Sequence, residues 1–239
     1  QNGIPDETFS YLYEASLRSL VLLSPGDVYP GPFTYKHFWF RDAAVILYAL
    51  LCAGLTDRAE RIIDSFPGRQ RPNGYFHSQD GEWDSNGQVL WIMDRFGRMT
   101  GRAPHPEWKE AVLKGAGWIL SKRKKTEKKG PLHRWLLPAG FSAEHLGPSD
   151  YYFWDNFWAV AGLESAARMC ALWRESRACE RYAREAADYR RRLDEILATL
   201  RGRHGHSIMP AAPTRRLDTG AIGSLVAGYP LKLWPGSDA

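Results

Sequence analysis

The chain has 239 residues, with 44% hydrophobic and 25% charged side chains and a formal net charge of +5. With no dominant polar tract, that balance excludes a disordered chain and leaves room for one large domain or two small ones. The longest uncharged apolar run, Ala43 to Leu55, is too short to span a bilayer, so no membrane partner is expected.

Strand-type alternation is almost absent, and 3.6-residue periodicity recurs between loops rich in Gly, Pro, Asp and aromatics. The spacing predicts helices over 7–23, 40–54, 56–66, 85–101, 106–123, 153–173, 176–201 and 219–228. The second, headed by Arg41 and Asp42, is apolar around most of its circumference, which predicts burial on all sides. The sixth, WDNFWAVAGLESAARM, reads the same way. The seventh places Tyr182, Ala186, Tyr189, Leu193, Ile196 and Leu200 on one face with Arg and Glu opposite, as an outer helix would.

Buried and amphipathic helices therefore alternate. Long links (24–40, 67–84, 124–152, 202–218) lead into the buried helices, and short ones such as Gly54-Leu55 lead out. Long loops that all precede buried helices gather at one end of a bundle, and loops of that length are commonly functional. The pattern predicts an all-α double ring of helices around one cavity.

Ten Trp, eleven Tyr and ten Phe suit either a large core or a surface for flat ligands such as sugars. The basic run Lys122, Arg123, Lys124, Lys125, Lys128 and Lys129 reads as a solvated helix end, where cations oppose the helix dipole. Nothing arranges it along a groove with stacking partners, so no nucleic-acid partner is expected. Cys52, Cys170 and Cys179 are odd in number and lack CxxC spacing. The first two fall in apolar helical patterns, and buried free thiols of a reducing, cytoplasmic setting are the expectation. The seven histidines show no HExxH and His204-Gly-His206 lacks a third ligand; with no GxGxxG or P-loop, neither metal nor cofactor is expected.

Three segments carry candidate chemistry. In FTYKHFWFRDAA, Trp39, Arg41 and Asp42 stand ahead of an apolar helix. Arg41 and Asp42 form either a fork for sugar hydroxyls or, for Asp42, a helix cap. In EWDSNGQ, Trp83 and Asp84 precede the fourth helix, where Asp84 or Ser85 could equally be a cap and Gly87 a close-packing residue. In GFSAEHLGPSDYYFWDNFWAVAGL, Glu144, Asp150 and Asp155 occur among Tyr152, Trp154 and other aromatics. A carboxyl poorly solvated by aromatics keeps its proton, as a general acid must. Helix capping is the alternative for Asp155, and a positive helix terminus would oppose the aromatic effect.

Trp-x-Arg-Asp before an apolar helix, the EWD loop and the Trp154-Asp155 pair together resemble the (α/α)6-toroid glycosidases of the glucoamylase, trehalase and glycogen-debranching (amylo-α-1,6-glucosidase-like) group. The resemblance implies inverting, exo-acting hydrolysis of an α-linked glucoside, such as a starch or glycogen oligosaccharide or trehalose. It implies Asp155 as general acid, with Glu144 and Asp150 as alternatives, and Trp39, Arg41, Asp42, Trp83, Asp84, Tyr152 and Trp154 as substrate contacts. About eight of twelve helices are then expected within residues 1–239, with the remaining helices and the catalytic base beyond them. Asp218, the late acid in a plausible place, is expected to cap a helix. Where glucoamylases carry paired glutamates this chain has Asp-Asn, which leaves bond specificity open. A non-catalytic helical carbohydrate-binding or scaffold domain, or another toroid enzyme such as a disaccharide phosphorylase or epimerase, are the competing readings.

Overall fold

The computed structural model describes residues 3–141, 148–204 and 208–234. Among them are α1 (Glu7–Leu22), α2 (Phe40–Cys52), α3 (Thr56–Ile63), α4 (Ser85–Thr100), α5 (Lys109–Lys124), α6 (Phe153–Leu172) and α7 (Ser176–His204). Short 3-10 turns at Pro67–Arg69 and Pro106–Trp108 and a longer 3-10 segment at Thr219–Ala227 complete the described elements. The protein is all-α. Its one extended feature among the described residues is an isolated backbone bridge between Gly140 and Asp150. No described helix is long and apolar enough to cross a membrane.

The last predicted helix is therefore a 3-10 segment. Asp218 starts it, its carboxylate accepting the Gly220 amide at 3.0 Å, and the apolar Ile222 and Leu225 remain exposed. Elsewhere the local signals act as their chemistry demands. Asp6 caps α1 by accepting from the Phe9 amide at 3.0 Å. Gly101 ends α4 in the left-handed region, at φ 71°, a conformation that costs a side chain and not a glycine.

The core is organised around α6, which packs most extensively on α4 and α7; α4 in turn packs on α2, while α3 and α5 lie against the row formed by α2, α4 and α6. The anticipated inner face of α7 (Tyr182, Ala186, Tyr189, Leu193, Ile196, Leu200) is buried without exception. α6 is buried around nearly its whole circumference through Cys170. Two small residues allow this. A Cβ on Gly87 would overlap the backbone carbonyl of Trp158, and one on Gly162 would stand 2.7 Å from the Cα of Gly87. α4 and α6 thus touch backbone to backbone, which any larger side chain at either position would prevent.

α2 departs from expectation. Phe40, Ala43, Ala44, Leu47, Leu50 and Leu51 are buried, but Val45 is 53% exposed and Cys52, expected inside, is at the surface. α1 contributes no fully buried residue. Between α1 and α2 runs a groove of about 440 Å³, lined by Leu17, Leu20, Val45, Tyr48 and Tyr229 among others. An all-round apolar helix can be buried on every side; here its neighbours cover only one.

The loops ahead of the buried helices do converge. The Phe40 amide donates to Ser78 Oγ (2.9 Å), the Phe141 amide to the Gly81 carbonyl (2.8 Å) and the Phe153 amide to the Ala211 carbonyl (2.9 Å). The first and third tie the start of a buried helix to the loop before another element, and the second joins the loops ahead of α4 and α6.

Candidate active site at the heads of α2, α4 and α6

Buried asparagines set the first turns of α4 and α6. Asn86 donates to the carbonyls of Gly74 (2.9 Å) and Gly115 (3.0 Å) and accepts the Phe76 amide (2.9 Å). Asn156 accepts from the Leu137 amide (2.9 Å) and from the Tyr189 hydroxyl (2.5 Å), and donates to the Tyr152 carbonyl (2.6 Å). Each satisfies loop backbone that would otherwise be buried unpaired. Together they hold Asp84 and Asp155, at the heads of their helices, in fixed positions.

Asp84 is the hub of the site. It occupies the N-cap position of α4, but its carboxylate does not turn back to the helix amides. Its Oδ2 accepts from Arg41 Nε (2.7 Å), Trp154 Nε1 (2.7 Å) and Gln88 Nε2 (2.9 Å). The heads of α2, α4 and α6 are therefore tied through one buried oxygen. Arg41 also reaches Glu82, Nη2 to Oε1 at 3.3 Å. Burial pushes the Glu82 carboxyl above its ordinary range even against the pull of Arg41.

Asp155 lies beside this hub, 1% exposed. Among the described residues, no group within hydrogen-bonding reach serves either of its carboxylate oxygens, so Asp155 does not cap its helix through its side chain. Burial raises its pKa well above the ordinary carboxylate value, the nearby Asp84 charge raises it further, and Arg41 opposes without prevailing. Three carboxyls, Glu82, Asp84 and Asp155, share one guanidinium. Asp84 accepts three donors, whereas Asp155 accepts none among the described residues and holds its proton more tightly than an ordinary carboxyl.

The other anticipated residues are distributed more widely. Asp42 sits in the first turn of α2 and adds its charge to the field on Glu82. Trp39 is half-buried, edge-on to His37 with ring centroids 4.6 Å apart. Trp83 donates weakly to the Ala139 carbonyl (3.4 Å), and the Lys122 ammonium sits over its ring at 3.3 Å. Tyr152 packs with Ala211 and Ala212; its hydroxyl donates to the Pro148 carbonyl (2.8 Å) and accepts from Arg215 (3.1 Å), and its phenol lies within the field of Asp155. Asp150 bridges to Gly140 through its backbone, and its carboxylate accepts the adjacent Tyr151 amide at 2.7 Å. Glu144 lies outside the described residues. Asp218, besides its capping bond, is held by Arg215 at 3.0 Å.

The basic run is not uniformly solvated. Lys124, Lys125, Lys128 and Lys129 are exposed, but Lys122 lies over Trp83 and Trp118, and Arg123 is buried. Arg123 stacks on Tyr189 at 3.9 Å and donates from Nε to the Trp135 carbonyl at 2.7 Å. A charge run records composition; the helical period turned two of its members inward.

Glu82, Gln88 and Trp158 were not singled out by sequence reasoning. The available signal was spacing: Gln88 is one turn after Asp84, and Trp158 one turn after Asp155.

The fold and site define an all-α protein with a buried carboxyl cluster at the heads of three packed helices. No family model, no curated protein and no solved structure matches this chain.

Proposed function

We propose that this chain carries the proton-donating part of a glycosidase site on an (α/α)6 toroid, acting on α-linked glucosides by inversion, with Asp155 as general acid. The observation that carries the reading is the contrast between two neighbouring carboxyls. Asp84 is charge-paired and triply hydrogen-bonded, whereas Asp155 is buried among aromatics with no donor to stabilise its anion. Environments that push paired carboxyl pKa values apart are how acid and charge-stabilising roles are divided at glycosidic bonds. The convergence of the loops before α2, α4 and α6 and the alternation of buried and outer helices support the toroid. In this reading Arg41 acts chiefly through Asp84 and Glu82, setting the charge around the acid. Sugar contact then falls to Asp155 and the polar groups beside it.

The test is the melting temperature with and without 1-deoxynojirimycin or acarbose, for the native chain and for Asp155→Asn. Ligand at a hundredfold excess over its dissociation constant should stabilise the native chain by about 2.7 kcal/mol, and Asp155→Asn should lose most of that gain. A cooperatively folded native chain whose melting is unmoved by either compound would sink the reading. The complete burial of Asp155 favours a second one, a non-catalytic helical scaffold; it predicts that Asp155→Asn stabilises the chain and alters no ligand response.

A further inference from the structure

Four buried polar atoms on α4 and α6 have no hydrogen-bond partner among the described residues: Gln88 Oε1, both carboxylate oxygens of Asp155, and Trp158 Nε1. Gln88 is fully buried, and Asp155 and Trp158 are each 1% exposed. Their neighbours place them together. Gln88 Nε2 and Trp154 Nε1 donate to the same Asp84 oxygen, the rings of Trp154 and Trp158 are 5.9 Å apart, and Gly87 lies directly against the Trp158 carbonyl. A buried amide oxygen or indole N–H left unpaired is destabilising, because it gives up its bond to water and gains none. An apolar side chain of similar shape would carry no such cost at either position.

The chemistry of the set restricts what it can bind. It offers one acceptor at Gln88, one donor at Trp158, and at Asp155 a carboxyl that donates when protonated and accepts at its other oxygen. An anion would meet Asp84 and Glu82, and a metal ion would face the indole N–H. Hydroxyl groups, which donate and accept at one oxygen, match all three. We infer that Gln88 and Trp158 are hydroxyl-reading residues flanking Asp155, forming with it a site for a neutral polyhydroxylated ligand. The inference rests on the sugar-site reading above and adds two residues to it.

A site built to hydrogen-bond a hydroxyl rejects a ligand lacking it because its own polar groups are then stranded. The experiment measures the dissociation constant of 1-deoxynojirimycin and the ligand-free melting temperature for the native chain, Trp158→Phe and Gln88→Met. Each variant should bind about tenfold or more weakly; Trp158→Phe should do so with its ligand-free melting temperature unchanged or raised, whereas Gln88→Met also gives up its bond to Asp84. A residue with only a packing role would not separate these two readouts. On the native chain, which needs no substitution to fold, mono-deoxy analogues of the probe should show a comparable loss. Variants and deoxy analogues that bind as tightly as their references overturn the assignment of Gln88 and Trp158 and leave Asp155 standing. A native chain that binds no 1-deoxynojirimycin overturns both readings.

Discussion

Gly162 meets Gly87 so closely that a Cβ on Gly162 would lie 2.7 Å from the Cα of Gly87. This contact brings Asp84 and Gln88 of α4 beside Asp155 and Trp158 of α6. Gly87→Ala would drive a methyl into the Trp158 backbone carbonyl, which cannot rotate aside, and should cost about 1–3 kcal/mol or more. Gly117→Ala in α5, where nothing lies within 4 Å of the new methyl, should instead stabilise by about 0.4–1 kcal/mol. Urea denaturation of the two variants checks both signs; equal effects would show that the α4–α6 contact is not tight.

Asp84→Ala would leave three donors, on half-buried Arg41 and Trp154 and on buried Gln88, without their acceptor. Breaking a buried ion pair from one side costs about 3–5 kcal/mol. Because Arg41→Met removes the partner charge, the double variant should lose less than the sum of the two single losses. Strict additivity in a double-mutant cycle would mean that the pair is not coupled.

Asp155 holds its proton more tightly in the folded chain than in the unfolded one. The folded state then binds more protons than the unfolded state once pH exceeds about 4, the ordinary carboxyl value. Stability attributable to this group consequently falls as pH rises through that window toward the raised folded value. Asp155→Asn has no such dependence. Its melting temperature relative to the native chain should climb between about pH 4 and 7; a constant difference would place Asp155 in a charge-stabilising environment.

Burial, with the charge of Lys125 adding to it, lowers the Lys122 pKa to about 8, against about 10.4 in an unfolded chain. Between those values the unfolded state carries more protons, so this group's contribution to stability increases with pH. Melting of the native chain relative to Lys122→Met should rise from pH 8 to pH 10. Tryptophan emission should also change near pH 8 as the charge over Trp83 is lost, and Lys122→Met should abolish that change. An emission profile that is flat through this range in the native chain would contradict the stacked ammonium.

Helix positions and buried stripes were readable from the chain because they depend on local spacing. The α7 stripe from Tyr182 to Leu200 needs only a 3.6-residue repeat, and α6 is apolar around most of its circumference whatever lies next to it. The concentration of Arg, Asp and Trp at the heads of α2, α4 and α6 was equally visible. Coverage was not. Periodicity states what α2 could bury, and its neighbours left Val45 and Cys52 outside.

The roles of the acids were likewise decided in three dimensions. An Asp at a helix head carries one sequence signature whether it caps its own amides or reaches across to another helix. Asp84 reaches across, to Arg41 and Trp154, which are 43 and 70 residues away in sequence. Asp155 is left without a donor because those groups are already engaged. By itself the sequence determined where α1 to α7 lie and which faces are apolar, though not the 3-10 form of Thr219–Ala227, since backbone propensity and side-chain period act over a few residues. Only the tertiary structure decided which carboxyl is paired and which is stranded, since electrostatic partnership depends on distances that the chain sets only when α2, α4 and α6 pack together.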